Sequence, residues 1–283
     1  MKNKDYSEYL CGYYRQKADS FITNLYLAGI DCNTENIHNV RVDVKSIRAF
    51  FRLIDAVGDK SFSMSDYKNI FNVIYKSSGN IREAQMNLSL IKSFDISSDE
   101  NYRYAKHISE NELIYISGFR DNMNTFDILR FAQISKKVKK IIKQTSGADI
   151  EMNCRNFVLK AADKILKLSD DSSEDNLHKI RKYFKMILYT SLHLDKMDSG
   201  GKIKKIIISA KKTEVKLGSW HDKIVFCNSI NNFLLLNGGN DIVSLPELKQ
   251  ISLITADENR KLLLLLFDET KSLINKIKNF LND

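Results

Sequence analysis

A single proline, Pro246, occurs in 283 residues. Proline interrupts a helix because it lacks the N–H and its ring clashes with the preceding turn. A chain this sparing of breakers is read as all-α. Apolar residues at steps of three and four recur along it. Candidate helices cover about 6–29, with Leu10, Phe21, Ile22 and Leu25 inward, and 34–57, capped by Thr34 and stopped by Gly58. A long third runs from Ser63 or Ser65 to about Phe94. Others cover about 99–122, 125–144, 150–168, 174–194, 203–236 and 256–281. Gly200-Gly201 and Gly238-Gly239 are expected to bound the 203–236 helix, and Pro246 sits where a helix would begin.

Apolar residues make up 43% of the chain, enough for a real core. The 44 Lys and Arg outnumber the 35 Asp and Glu, for a net charge of +9, which favours an anionic partner. Cys11, Cys32, Cys154 and Cys227 are widely spaced, with no Cys-x-x-Cys pair, and are read as free thiols in a reducing compartment. Met1 to Asp5 begins like a signal n-region, but no apolar stretch follows. The longest apolar run, Leu262 to Phe267, is far short of the roughly 20 residues a spanning helix needs. The expectation is a soluble cytoplasmic protein. Lys-, Ile- and Asn-rich usage fits a bacterial chain of low GC content.

One basic helix is written twice. His38, Arg41 and Lys45 recur 140 residues later as His178, Arg181 and Lys185. In the first copy Ile37, Val40, Val44, Ile47, Phe51 and Ile54 form the apolar stripe. His38, Arg41, Lys45, Arg48 and Arg52 repeat it displaced by one residue, about 100° of rotation. The helix therefore buries one face and lines up cations beside it, while Asp43 lies on another face. The second copy is less basic: Leu188 replaces the cation of Arg48, and Lys182 and Tyr189 partly compensate. Downstream, Gly79-Asn80-Ile81-Arg82-Glu83 is matched by Gly218-Ser219-Trp220-His221-Asp222. Lys205, Lys212, Lys216 and Lys223 share a helix face, with Lys68, Lys76 and Arg82 a sparser version in the first half. Short links predict antiparallel bundles, and the repeat predicts two of them, over 6–147 and 148–282, related by a pseudo-twofold. A duplicated cationic surface suggests two walls around one polyanion.

These motifs carry a resemblance. His38-Asn39-Val40-Arg41-Val42, continuing to Lys45 and Arg48, resembles the His-x-x-Arg-Val signature of the CHAD domain, the conserved-histidine α-helical domain. Leu177 to Arg181, with Lys185 and Tyr189, looks like the family's second signature. Leu217 to Val225 is similar to its Leu-Gly-x-x-x-Asp segment, with Gly79 to Gln85 as a diverged counterpart. The resemblance spans about 6–282 and identifies the chain as a stand-alone member. It implies two four-helix bundles around a basic channel, and binding of inorganic polyphosphate. Ser46, Met186 and Leu188 stand where basic residues are common, and Glu83 and Gln85 where aspartates are usual. Those departures bear on affinity and chain-length preference.

The expected polyphosphate site comprises His38, Arg41, Lys45, Arg48, Arg52, Lys76, Arg82, His178, Arg181, Lys182, Lys185, Tyr189, Lys212, Lys216 and Lys223. Arg can fork two phosphate oxygens, Lys offers a mobile charge and Tyr189 an O–H. Localisation to polyphosphate granules and scaffolding of polyphosphate-metabolising enzymes follow as extensions. The alternatives are a phosphoanhydride hydrolase or its accessory, and a nucleic-acid binder. A hydrolase would want carboxylates holding a metal; only Asp222 and Glu83 tempt, so no enzyme, cofactor or metal site is expected. No nucleic-acid motif or stacking platform is visible. Ile134, Val138, Ile141 and Ile142 beside a lysine-rich face could suit a membrane surface, but a bundle helix accounts for them better. Trp220, His107 and His193 read as packing or surface residues.

Overall fold

The computed structural model describes residues 3–57, 62–63, 67–94, 98–196, 202–237 and 245–282. Nine α-helices and no strand occur among them. They are α1 (Asn3–Ile30), α2 (Thr34–Val57), α3 (Asn72–Ile91), α4 (Asp99–Asn124), α5 (Ile128–Gln144), α6 (Gly147–Leu168), α7 (Glu174–Leu194), α8 (Lys202–Asn237) and α9 (Pro246–Asn282). A 3-10 turn, Lys68–Phe71, leads into α3. The all-α expectation holds.

The helix starts follow local chemistry. Ser98, Asp127, Ser146 and Ser173 each accept the N–H three residues on, satisfying a donor the helix cannot. At α2 that role falls to Asn33, whose Oδ1 accepts the Asn36 N–H at 2.9 Å, and not to Thr34. Pro246 occupies the first position of α9, where its missing N–H costs nothing. Two boundaries differ from the sequence reading. The third helix begins at Asn72 and not at Ser63, and the last runs unbroken from Pro246, where a helix is expected to begin, through the ten residues before 256 that the periodicity leaves out. The start at Ser65 and the glycine stops at Gly58, Gly200-Gly201 and Gly238-Gly239 lie outside the described residues.

Consecutive helices pair as α1 with α2, α3 with α4, α6 with α7 and α8 with α9, while α5 packs on α1 and α2. The halves also interlock: α2 meets α6 and α7, α3 meets α8, and α1 meets α6. One apolar core reaches from Tyr6 through Phe51 and Phe184 to Ile277. The whole apolar stripe of α2 is buried, which fixes the helix's rotation and hence the direction of its basic stripe. Asp43 locks that rotation. It is 3% exposed and accepts from Ser20 Oγ and Asn24 Nδ2 of α1, each at 2.7 Å, with Lys17 Nζ at 3.9 Å. The apolar face of α5, from Ile134 to Ile142, is buried in the same core. No described helix is long and apolar enough to cross a membrane.

Candidate functional site

Four helices close a ring of neighbours: α2 touches α3, α3 touches α8, α8 touches α7, and α7 touches α2. The two basic helices are thus direct neighbours, with α3 and α8 as flanking walls. Cations from all four helices, or carboxylates facing them, meet at this junction.

On the α2 side, Arg41 Nη1 donates to the Tyr75 carbonyl at 2.7 Å, and its guanidinium lies 4.4 Å from the Tyr75 ring centroid. Arg48 lies 4.6 Å from the same ring and donates to Asn72 Oδ1 at 2.8 Å. Tyr75 therefore orients two arginines through one π-surface. Gly79 makes room for this arrangement: a Cβ there would fall 2.8 Å from Arg41 Nη1, whereas one at Gly218 would meet nothing within 4 Å. Burial is the first cause pushing down the pKa of Arg41, Arg48 and Arg52, and positive neighbours add to it for the first two.

Lys45 is the most perturbed cation. Burial first, then the charges of Lys185, Arg41 and Arg181, bring its pKa down to about 7, against a pull from Glu214. Lys185 of α7 is lowered by burial and Arg181, and its Nζ pairs with Glu214 Oε1 of α8 at 3.0 Å. The Nε of Arg181 is buried with no hydrogen-bond partner. Tyr189 hydrogen-bonds Ser46, joining α7 to α2, and burial raises its pKa. Lys185, Tyr189, Glu214, Lys211 and neighbouring aliphatic groups line a cavity of about 340 Å³.

The histidines lie at one end of the junction. Burial and then Arg82, Lys45 and Arg41 lower the pKa of His38; burial, Lys182 and Arg181 lower that of His178. His178 and His221 have ring centroids 5.0 Å apart. His221 is held down at about 4, by burial and then by Arg181, His178, Lys185 and Lys182. Asp222 faces Arg181, Arg82, Lys185 and Lys45, from both halves of the chain, yet burial wins and raises its pKa. Burial likewise raises Glu83 against the pull of Arg41.

The structure thus gathers His38, Arg41, Lys45, Arg82, His178, Arg181, Lys182 and Lys185. Tyr189 closes the gathering beside Lys185, and Arg48 and Arg52 extend it along α2. Lys76 is exposed on α3, one turn before Gly79 and Asn80. The lysine row of α8 is not gathered. Lys216 pairs with Glu269 at 2.7 Å and Lys223 with Glu258 at 2.8 Å, so these lysines face α9. Lys205 and Lys212, on the same row, are exposed. The face that α8 turns to the basic helices carries Glu214, His221 and Asp222 instead, two residues out of phase. Tyr75, Glu214 and His221 are the members that sequence reasoning missed. Gln85 serves the scaffold, donating to the Cys32 carbonyl at 2.9 Å and to Glu112 Oε1 at 3.0 Å. Among the described residues no three His, Cys, Asp or Glu side chains are grouped as metal ligands.

Comparisons with known proteins bear on this arrangement. The family model of the CHAD domain matches residues 15–228. A solved structure, the CHAD domain from the plant Ricinus communis, matches with a TM-score of 0.72, covering 95% of this chain and 91% of that one at 13% identity. At that identity the likeness shows the fold alone. No curated protein matches the chain.

Proposed function

The chain belongs to the CHAD domain family, and from that premise we propose that its four-helix junction binds inorganic polyphosphate. The observation that carries the reading is the crowding of cations from both halves. Arg41, Lys45 and Lys185 stand close enough to Arg181 that its charge helps lower the pKa of all three, and the Arg181 Nε has no partner. Folding alone gains nothing from such repulsion. A bound polyanion relieves it and supplies the missing acceptors.

In this reading Arg41 and Arg181 grip successive phosphates from opposite walls, pre-oriented by Tyr75 on one side. Lys45 and Lys185 follow as mobile point charges, and the Tyr189 hydroxyl donates where the Arg48 position has become leucine. His38 and His178 regain their protons as the anion approaches. The chain path runs through the basic junction as a channel, bounded by Arg52 at one end and the histidines at the other. Recognition is by charge and phosphate geometry, with counterion release setting a steep salt dependence. The protein acts as a binder and not as a catalyst. Attachment to polyphosphate granules, or to enzymes that make or degrade the polymer, follows from such binding in a cytoplasmic setting.

The double variant Arg41→Ala, Arg181→Ala tests the placement. Its affinity for long-chain polyphosphate should fall at least about 100-fold, since each lost charge-assisted contact is worth about 1.5–3 kcal/mol. Unchanged affinity in a folded variant would put the site elsewhere. Phosphate release on adding magnesium or manganese would instead favour a hydrolase.

A further inference from the structure

A second cavity lies beside the basic junction, of about 320 Å³, between α3, α4 and α8. Its chemistry differs from the junction's. Five asparagines line it: Asn80, Asn87, Asn111, Asn228 and Asn232. Glu83 is the only carboxylate among its lining residues, which include no lysine or arginine. Asn87 is 2% exposed and its Oδ1 has no hydrogen-bond partner. A buried carboxamide left unpaired costs about 1–3 kcal/mol, so its place in a cavity wall marks a recognition site more readily than a packing solution. Asn111 Nδ2 meets His107 Nε2 at 3.0 Å, and the His107 ring stands 5.1 Å from that of Phe233 at an interplanar angle of 47°, so two aromatic rings border the cavity.

A lining of carboxamides selects a neutral group with donors and acceptors side by side. A carboxamide pairs in bidentate fashion with the N6 and N7 edge of adenine, whereas guanine calls for arginine and cytosine for a carboxylate. An aromatic wall suits a planar ring. The cavity also continues the junction. Glu83 lines it while its charge feels Arg41, and on α8 Val225 of the cavity follows Asp222 of the junction by three residues.

We propose that this asparagine-lined cavity binds the adenine ring of a nucleotide whose phosphates lie in the adjoining basic junction. The phosphate half rests on the polyphosphate reading above; the base half rests on the cavity alone. The protein would then hold nucleoside polyphosphates as well as the bare polymer.

Adenosine, ATP and inorganic tripolyphosphate, titrated calorimetrically into the full chain, separate the two halves. Adenosine should bind the wild type and the Arg41→Ala, Arg181→Ala variant alike, because it uses no phosphate contacts. ATP should bind the wild type about tenfold tighter than tripolyphosphate. Asn87→Ala and, independently, Asn111→Ala should remove both adenosine binding and the ATP advantage while leaving tripolyphosphate affinity intact. Circular dichroism of each variant confirms that it folds. Adenosine that fails to bind the wild type, or that binds both asparagine variants as tightly, overturns the proposal. If adenosine binds and tripolyphosphate does not, the base site stands and the reading of the junction falls.

Discussion

Polyphosphate affinity should depend on pH in a range where simple lysine sites are flat. The amine of Lys45 is brought from 10.5 to about 7 by burial and by Lys185, Arg41 and Arg181. A phosphate chain between these groups restores the charged form, so binding takes up a proton whenever the free protein has lost it. The sign follows: affinity is insensitive to this group below pH 7 and falls as pH rises above it. The slope approaches one tenfold step per pH unit, about 1.4 kcal/mol each, until the bound-state pKa is reached. Between pH 7 and 9 that amounts to as much as about 50-fold from Lys45 alone, and Lys185, also lowered, adds to it. The assay is titration of long-chain polyphosphate at constant ionic strength, with long chains so that end groups contribute little. Lys45→Arg keeps the charge at every pH used and should remove about one proton from the slope while retaining binding. An affinity constant from pH 7 to 9, or an unchanged slope in Lys45→Arg, would show that Lys45 does not charge on binding.

Four further outcomes test separate parts of the site. Lys45→Met should raise the melting temperature without ligand by about 2–4 °C, because it removes a buried, repelled charge, and should weaken polyphosphate binding. Glu214→Gln should tighten binding about two- to fivefold in the same titration, since it frees Lys185 from its 3.0 Å partner. Gly79→Ala should raise helix stability by up to about 1 kcal/mol yet weaken binding, as its Cβ displaces the Arg41 guanidinium; equal affinity would show that this placement is irrelevant. Asp43→Ala should cost about 2–3 kcal/mol in urea unfolding, by removing the acceptor shared by Ser20 and Asn24, while the folded fraction binds normally.

The basic helices were legible because their apolar and cationic stripes are one pattern shifted by a residue. Burying Ile37, Val40, Val44, Ile47, Phe51 and Ile54 dictates where Arg41 and Lys45 point. The start of α3 was not legible. Ser63 and Ser65 resemble caps, but Phe62 and Phe71 are both buried, and the helix begins only after the second of them. The first turns of α9 were hidden because Ser252 and Thr255 sit inward among Leu248 and Ile251, which blurs the apolar period. Ser252 settles there by donating to Asn231 Oδ1 at 3.0 Å.

At the site, periodicity placed four α8 lysines on one face but could not say which face meets the basic helices. The partners of that row are Glu258 and Glu269 of α9, remote in sequence. His221 carried a usable signal, since it lies within the second copy of the repeated glycine segment. Tyr75 carried none beyond its position one helical turn before Gly79.

The most direct measurement is a calorimetric titration of the intact chain with polyphosphate and, separately, with duplex DNA of matched charge, each at two salt concentrations. Polyphosphate should bind tightly and weaken steeply with salt, with DNA far weaker at both concentrations. Absent binding, or equal affinity for the two polymers, would contradict a dedicated polyphosphate site.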